Sequence, residues 1–347
     1  LDPAALANGL RLPQRLRIAS MHASLIPAYA SALTHPLAAP PCPIFDAHMH
    51  VGEMARNRAY VRAARAYGVS RALGMLHEVE PEDLYDAFGD FFVPCVWATR
   101  TVPGGADWAR EEIARLEDWR RRGAGCLKYK VTPVRGKPAY FLDDERVQPV
   151  LARAAELGFV LMAHIAEPSL WWPDRFDPAE VGSKESYFPQ VEAVLREHPA
   201  LRFVGAHMGG SPEDLGRLAR LMDAYPNYHV DTSATKWIVR ELGRQQEAAR
   251  AFFLRFSDRI LFGSDLVAKF GDSDDYFTSR FHVQRFMWEA DAPTPSMIAD
   301  PDAVPPDFPN GPELRPLALP EDVLQKIYWQ NAHALFADAG APRSAQV

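Results

Sequence analysis

Eight short apolar runs, each followed by a stretch of helix length, recur along the chain, and this beat limits the fold more than any other feature. The strand-like runs fall at 44–50, 70–76, 91–99, 126–131, 159–165, 202–208, 228–233 and 260–265. Helical periodicity lies between them near 56–67, 81–89, 107–122, 143–157, 186–198, 212–224 and 236–256, and again at 272–290 and 320–337. Asp143 and Asp144, then Ser211-Pro212-Glu213, then Pro320 read as helix starts, while Gly123, Gly125 and Gly158 sit where helices give way to strands. Strands that alternate with helices imply parallel pairing through right-handed crossovers. Eight repeats favour an α/β fold closed as a (β/α)8 barrel, the TIM-barrel architecture, over an open sheet. No Gly-x-Gly-x-x-Gly follows a strand, which removes the dinucleotide-binding alternative. The Pro-rich stretch 292–320 reads as a long loop after the eighth strand.

A barrel of this kind accommodates the 347 residues as one main domain at 43–337, with an N-terminal extension at 1–42, a C-terminal helix closing the domain, and a tail at 338–347. The net charge of −7 is spread over interspersed signs, and no basic run exceeds Arg120-Arg121-Arg122, which argues against nucleic acid or anionic membrane as a partner. Cys42, Cys95 and Cys126 are few, odd in number and set among apolar residues. They read as buried thiols in a reducing compartment, so the cytoplasm is the expected location.

In such barrels the chemistry sits at the carboxyl ends of the strands. The first run ends Phe45-Asp46-Ala47-His48-Met49-His50, and strand alternation places Asp46, His48 and His50 on one face. The fifth ends in His164 and the sixth in His207, the seventh in Asp231-Thr232-Ser233, and the eighth in Gly263-Ser264-Asp265. Lys128 and Lys130 share a face of the fourth run, with Lys128 deeper and structural in character. Four imidazoles and a carboxylate thereby converge on one rim, a donor set suited to a divalent ion. His77 reads as a solvated strand-end histidine, and His198, His282 and His333 as structural.

These pieces resemble the amidohydrolase superfamily in its amidohydrolase-related branch. The resemblance covers about residues 43–337 and rests on the His-x-His run, Lys130-Val131-Thr132-Pro133, Ala163-His164, Ala206-His207-Met208-Gly209-Gly210, Leu261-Phe262-Gly263-Ser264-Asp265 and the closing Asn331-Ala332. It implies a divalent metal held by His48, His50, His164 and Asp265, with His207 beside it as ligand or acid–base partner. One zinc ion is the first expectation, with manganese or another divalent ion as the alternative. A second ion bridged by a carboxylated Lys130 is a lesser variant; contact of Lys130 with substrate is the leading one.

The chemistry then expected is activation of a water, with Asp265 as base and His207 polarising a carbonyl, to cleave an amide, lactone or ester-type bond of a small molecule. Decarboxylation of an aromatic or unsaturated carboxylic acid uses the same residues. A metal-binding barrel without catalysis is the reading from another class. Trp171 and Trp172 form an apolar lid over the mouth or pack on the rim. Arg56 pairs with a substrate carboxylate or lies solvated, and Lys236 is the preferred anion contact on the seventh rim. A homodimer is the assembly this branch suggests.

Overall fold

Apolar residues facing both sides of each strand-like run demand cover on both faces, and in the computed structural model of the chain they receive it. The structure describes residues 37–98, 105, 107–133, 141–172, 174–269, 274–300, 302 and 313–340. Most of the expected N-terminal extension, with His22 and His35, and the last part of the tail lie outside the described residues.

The strands are β1 (Ile44–His50), β2 (Val69–Met75), β3 (Phe92–Trp97), β4 (Cys126–Val131), β5 (Val160–Ile165), β6 (Arg202–Gly205), β7 (Tyr228–Asp231), β8 (Ile260–Leu261) and β9 (Leu266–Val267). All pair in parallel in the order β8-β7-β6-β5-β4-β3-β2-β1-β9. β8 opens the eighth run, and β9 follows just past that run's expected end at 265. β8 pairs with β7 and β9 with β1, so the sheet closes on itself as the expected barrel. Backbone bonds complete the seam, from Ala47 N to Phe262 O at 2.8 Å and from Asp265 N to His48 O at 2.7 Å.

Side chains alternate as the pleat requires. Phe45, Leu73, Val93, Cys95, Cys126, Val160, Met162 and Val204 fill the barrel interior, where Leu335 and Phe336 of the last helix plug its lower end. The opposite faces pack on the surrounding helices, among them α1 (Met54–Ala66) and α2 (Asp275–Glu289). The closing helix, Glu321–Gln325, passes through a π-helical turn at Lys326–Gln330 into Asn331–Leu335. There the Asn331 side chain donates to Ser257 O and Ile260 O, both at 2.7 Å, and pins the foot of β8.

Several expectations are corrected. The β1–β2 register shifts between Asp46 and Met49, so strict alternation fails there. Asp46 does not share a face with His48 and His50; its carboxylate accepts bonds from Tyr60 Oη of α1, at 2.7 Å, and from Ser264 N, at 2.9 Å. The strand ends at 205, 231 and 261 fall short of the expected 208, 233 and 265, because the chain there bends sharply at the rim. The helix expected over 236–256 breaks at Gln245 into Thr235–Arg244 (α3) and Gln246–Arg255. Asp214, not Ser211, caps the helix Leu215–Ala224. Within the 292–320 stretch, Thr294–Pro295 pairs antiparallel with Glu313–Leu314, so it is not loop throughout.

Candidate active site

The bulge in β1 turns both of its histidines to the barrel mouth. His48 Nδ1 lies 2.7 Å from Asp231 Oδ2, which holds the ring so that Nε2 is presented to the site, 3.3 Å from Asp265 Oδ1. His50 Nε2 lies 3.0 Å from the same oxygen, and its Nδ1 meets His77 Nε2 at 3.1 Å. The donor atoms of His48, His50 and Asp265 all fall within 4.8 Å of one another. His207 stacks edge-on to His164 at 4.3 Å between ring centroids and lies 4.9 Å from His48. Its Nδ1 is 2.7 Å from Ser233 Oγ.

Two buried ring nitrogens at this point, His48 Nε2 and His164 Nε2, have no hydrogen-bond partner among the described residues. Leaving such atoms bare is costly. At His48 the opposite ring nitrogen is fixed by the Asp231 carboxylate, the arrangement seen around bound metals. The residues therefore fit a divalent ion between His48, His50 and Asp265, with His164 and His207 beside it. A second grouping, His48, His207 and Asp231, is also close enough. In it, however, Asp231 already accepts from His48, from His207 N at 2.8 Å and from Ser233 N at 3.1 Å, which suits an orienting role better than ligation.

The rim is strained. Ala166, His207, Met208, Ala234 and Asp265 follow β5 to β8 with φ of 59°, 56°, 53°, 65° and 57°. Left-handed backbone at non-glycine residues costs about 1–3 kcal/mol each and persists only where surrounding contacts enforce it. At Gly263 even a methyl would crowd the site, since a Cβ there would stand 3.0 Å from His48 Cβ and 3.2 Å from Ser233 Cβ.

Burial also sets the charges. It pushes the Asp265 carboxyl up, but the imidazoles of His48, His50 and His207 around it outweigh that and hold the group well below 3.8. Burial drives His164 and His207 well below 6.5, aided by Lys130 at the former and by His164 at the latter, so both are neutral near pH 7 and able to donate a lone pair. Lys128 is lowered chiefly by burial and lies near Asp231 and Asp265. A sign follows for stability. Groups with depressed folded values stabilise above their unfolded values and lose that contribution as pH falls. The metal-free protein is therefore expected to lose stability from about pH 6.5 downward, as His164 and His207 resist protonation in the fold, and again below about 3.8 through Asp231 and Asp265. His48, whose value is raised, opposes part of the first loss. Melting temperatures between pH 4 and 8 check this; a curve flat from pH 7 to 5 would contradict it.

Next to these groups opens a cavity of about 440 Å³. His164, His207 and Asp265 line it, together with Trp171, Lys236, Trp237 and Arg280 among others.

The comparisons with known proteins show the family and the fold. The model of the family described as Amidohydrolase matches residues 46–337. The chain belongs to the amidohydrolase family, in its amidohydrolase-related branch. The probable 2-pyrone-4,6-dicarboxylic acid hydrolase of Acinetobacter baumannii, solved with citric acid bound, is similar at TM-score 0.53 and 12% identity over 85% of this chain and 99% of that one. The 4-oxalomesaconate hydratase of Rhodopseudomonas palustris is similar at 0.50 and 15% identity, over 85% and 96%. A 2,6-dihydroxybenzoate decarboxylase complexed with 2,6-dihydroxybenzoate is similar at 0.50 and 16%, over 85% and 99%. At such identities these likenesses show the shared fold. No curated protein matches the sequence.

In this amidohydrolase the residues singled out for substrate contact divide. Lys130, Trp171 and Lys236 line the cavity. Lys130 is half exposed, 3.9 Å from Glu167, and paired in register with His164 across β4 and β5. Arg56 and Trp172 are not among its lining residues. The Arg56 guanidinium lies over the Phe277 ring at 4.7 Å, and Trp172 packs on Phe176 while donating to Gly182 O at 3.0 Å. His77 is no solvated bystander, since it stacks on His50 at 5.4 Å. Asp231 stood on the predicted rim without a role and Ser233 as a candidate substrate contact; their part as the support of His48 and His207 appears only in three dimensions. Lys128 is fully buried, with no hydrogen-bond partner for Nζ among the described residues.

Proposed function

We propose that the protein is a metal-dependent hydrolase that activates a water to cleave an amide, lactone or ester-type bond of a small carbonyl substrate. The observation that carries this is the convergence of His48 Nε2 and His50 Nε2 on Asp265 Oδ1, with His48 locked from behind by Asp231. His48, His50, His164 and Asp265 would hold one divalent ion, zinc first and manganese as the alternative. Bound there, the ion supplies a Lewis acid that brings a water's pKa from about 15.7 towards 7.

Asp265, ionised at neutral pH, takes the proton from the attacking water and later returns it to the leaving group. Neutral His207, fixed by Ser233, faces the cavity and polarises the substrate carbonyl. Trp171 shields the mouth: its Nε1 donates to Asp302 at 2.9 Å, and Arg175 stacks on it at 3.9 Å. Lys130, on the cavity lining 3.9 Å from Glu167, contacts substrate in this reading. Residues 43–337 form the working domain. The buried free thiols of Cys95 and Cys126 suit a cytoplasmic location. No helix among the described residues is long and apolar enough to cross a membrane. A homodimer is the assembly we expect.

Decarboxylation of an aromatic acid is the second reading, favoured by Trp171, Trp237 and Tyr276 around a cavity that also carries cations. The test is a panel of neutral lactones and esters beside aromatic acids, with the protein loaded with zinc or manganese. Ester or lactone cleavage that disappears on chelation supports the hydrolase. Carbon dioxide release with no cleavage transfers the site to decarboxylation. His48→Ala and His50→Ala are each expected to lose the metal, measured by elemental analysis after desalting; a full complement in either would remove that residue from the ligand set.

A further inference from the structure

The cavity reaches from the histidines to the start of α3, two residues past Ser233. Ala234, in the left-handed region at φ 65°, aims the helix start at the cavity, and Ala234, Thr235, Lys236 and Trp237 all line it. No side chain caps this helix end. Its first turn therefore presents backbone N–H groups and the positive end of the helix dipole to whatever fills the space.

Two further polar atoms stand unsatisfied at the same place. Thr235 is buried and its Oγ1 has no hydrogen-bond partner among the described residues. Arg240, one turn along the helix and buried, uses Nε on Glu241 at 2.8 Å and Nη1 on Asp300, leaving Nη2 without a partner among the described residues. Both residues line the cavity, as do Lys236 and Arg280. The carboxylates nearby are already engaged, Asp300 by Arg240 and Asp302 by Arg175 and Trp171. Lys236, Arg240 and Arg280 outnumber the carboxylates Asp300 and Asp302 on this part of the lining, and the helix start adds to the positive potential. Trp237 links this part to the histidines, its ring 6.3 Å from that of His207.

We propose that the first turn of α3, with Thr235, Lys236, Arg240 and Arg280, is a carboxylate subsite, and that the substrate carries a carboxylate on the far side of a planar unit from the bond that reacts. The inference rests on the hydrolase reading for the word substrate, while the subsite itself does not. Burial lowers Lys236 to about 7, with Arg280 beside it adding to the shift, and an arriving anion favours its charged form, which adds to the selectivity for charge.

The experiment is binding of unreactive probes to the purified full chain, read by calorimetry and by tryptophan fluorescence. Benzene-1,3-dicarboxylate is expected to bind about tenfold or more tighter than benzoate, since it alone places a carboxylate at each end. Thr235→Val and Lys236→Gln are each expected to shrink that ratio, the latter to near one. Thr235→Val preserves shape, so it tests the idea even where Lys236→Gln fails to fold. A ratio unchanged in both variants, or no preference for the diacid, overturns the proposal. Tight binding of inorganic phosphate alone, lost in the same variants, makes the site one for a free anion and overturns the substrate assignment. Diacid binding without any hydrolysis keeps the subsite and rejects the hydrolase; hydrolysis of neutral lactones with an unchanged ratio does the reverse.

Discussion

Asp265→Asn is expected to lower turnover by on the order of 10³-fold or more while leaving the fold intact. Among the described residues this carboxylate is the one acidic group paired with both His48 Nε2 and His50 Nε2, at 3.3 and 3.0 Å. An amide in its place keeps the shape but gives up the negative charge and the proton acceptor together. The left-handed backbone at position 265 is tolerated by Asn as well as by Asp, so the substitution does not disturb the turn. Steady-state kinetics beside circular dichroism check the result. Turnover near the wild-type level in a folded variant would remove Asp265 from the chemistry.

Asp231→Ala is expected to carry the largest stability cost of any single change near the site, about 3–5 kcal/mol. The side chain is fully buried and gathers His48 Nδ1, His207 N and Ser233 N, so truncation leaves several donors without an acceptor. Denaturant unfolding measures it directly. Asp231→Asn keeps an acceptor for the backbone amides but faces His48 with the wrong partner, so the variant should fold and lose metal. A loss under about 1 kcal/mol for the alanine variant would show that the network is looser than its geometry states.

Legibility in the sequence followed how local the cause was. The alternation of apolar runs and helices names the barrel because each strand needs cover on both faces, and His48, His50, His164, His207 and Asp265 were visible as polar ends to apolar runs. Asp46 was misplaced because a register shift in β1 has no signature in the residues themselves; it depends on the fit against β2. Asp231 looked like a strand end, and only the approach of β7 to β1 through Gly263 makes it a support for His48. Arg56 sits close after His50 in the chain, yet its guanidinium lies over the ring of Phe277 on α2, a contact made across more than 200 positions. The short strands at 205, 231 and 261 reflect strained turns whose cost is met by bonds such as Asp265 N to His48 O, which no local pattern announces.

The most direct measurement is zinc bound per chain, after loading with excess ion and desalting, in the wild type and in His48→Ala side by side. About one ion per chain in the wild type, with little or none in the variant, is expected for a single site held by His48, His50, His164 and Asp265. Equal zinc in the two proteins, or none in either while substrate is still hydrolysed, would contradict it.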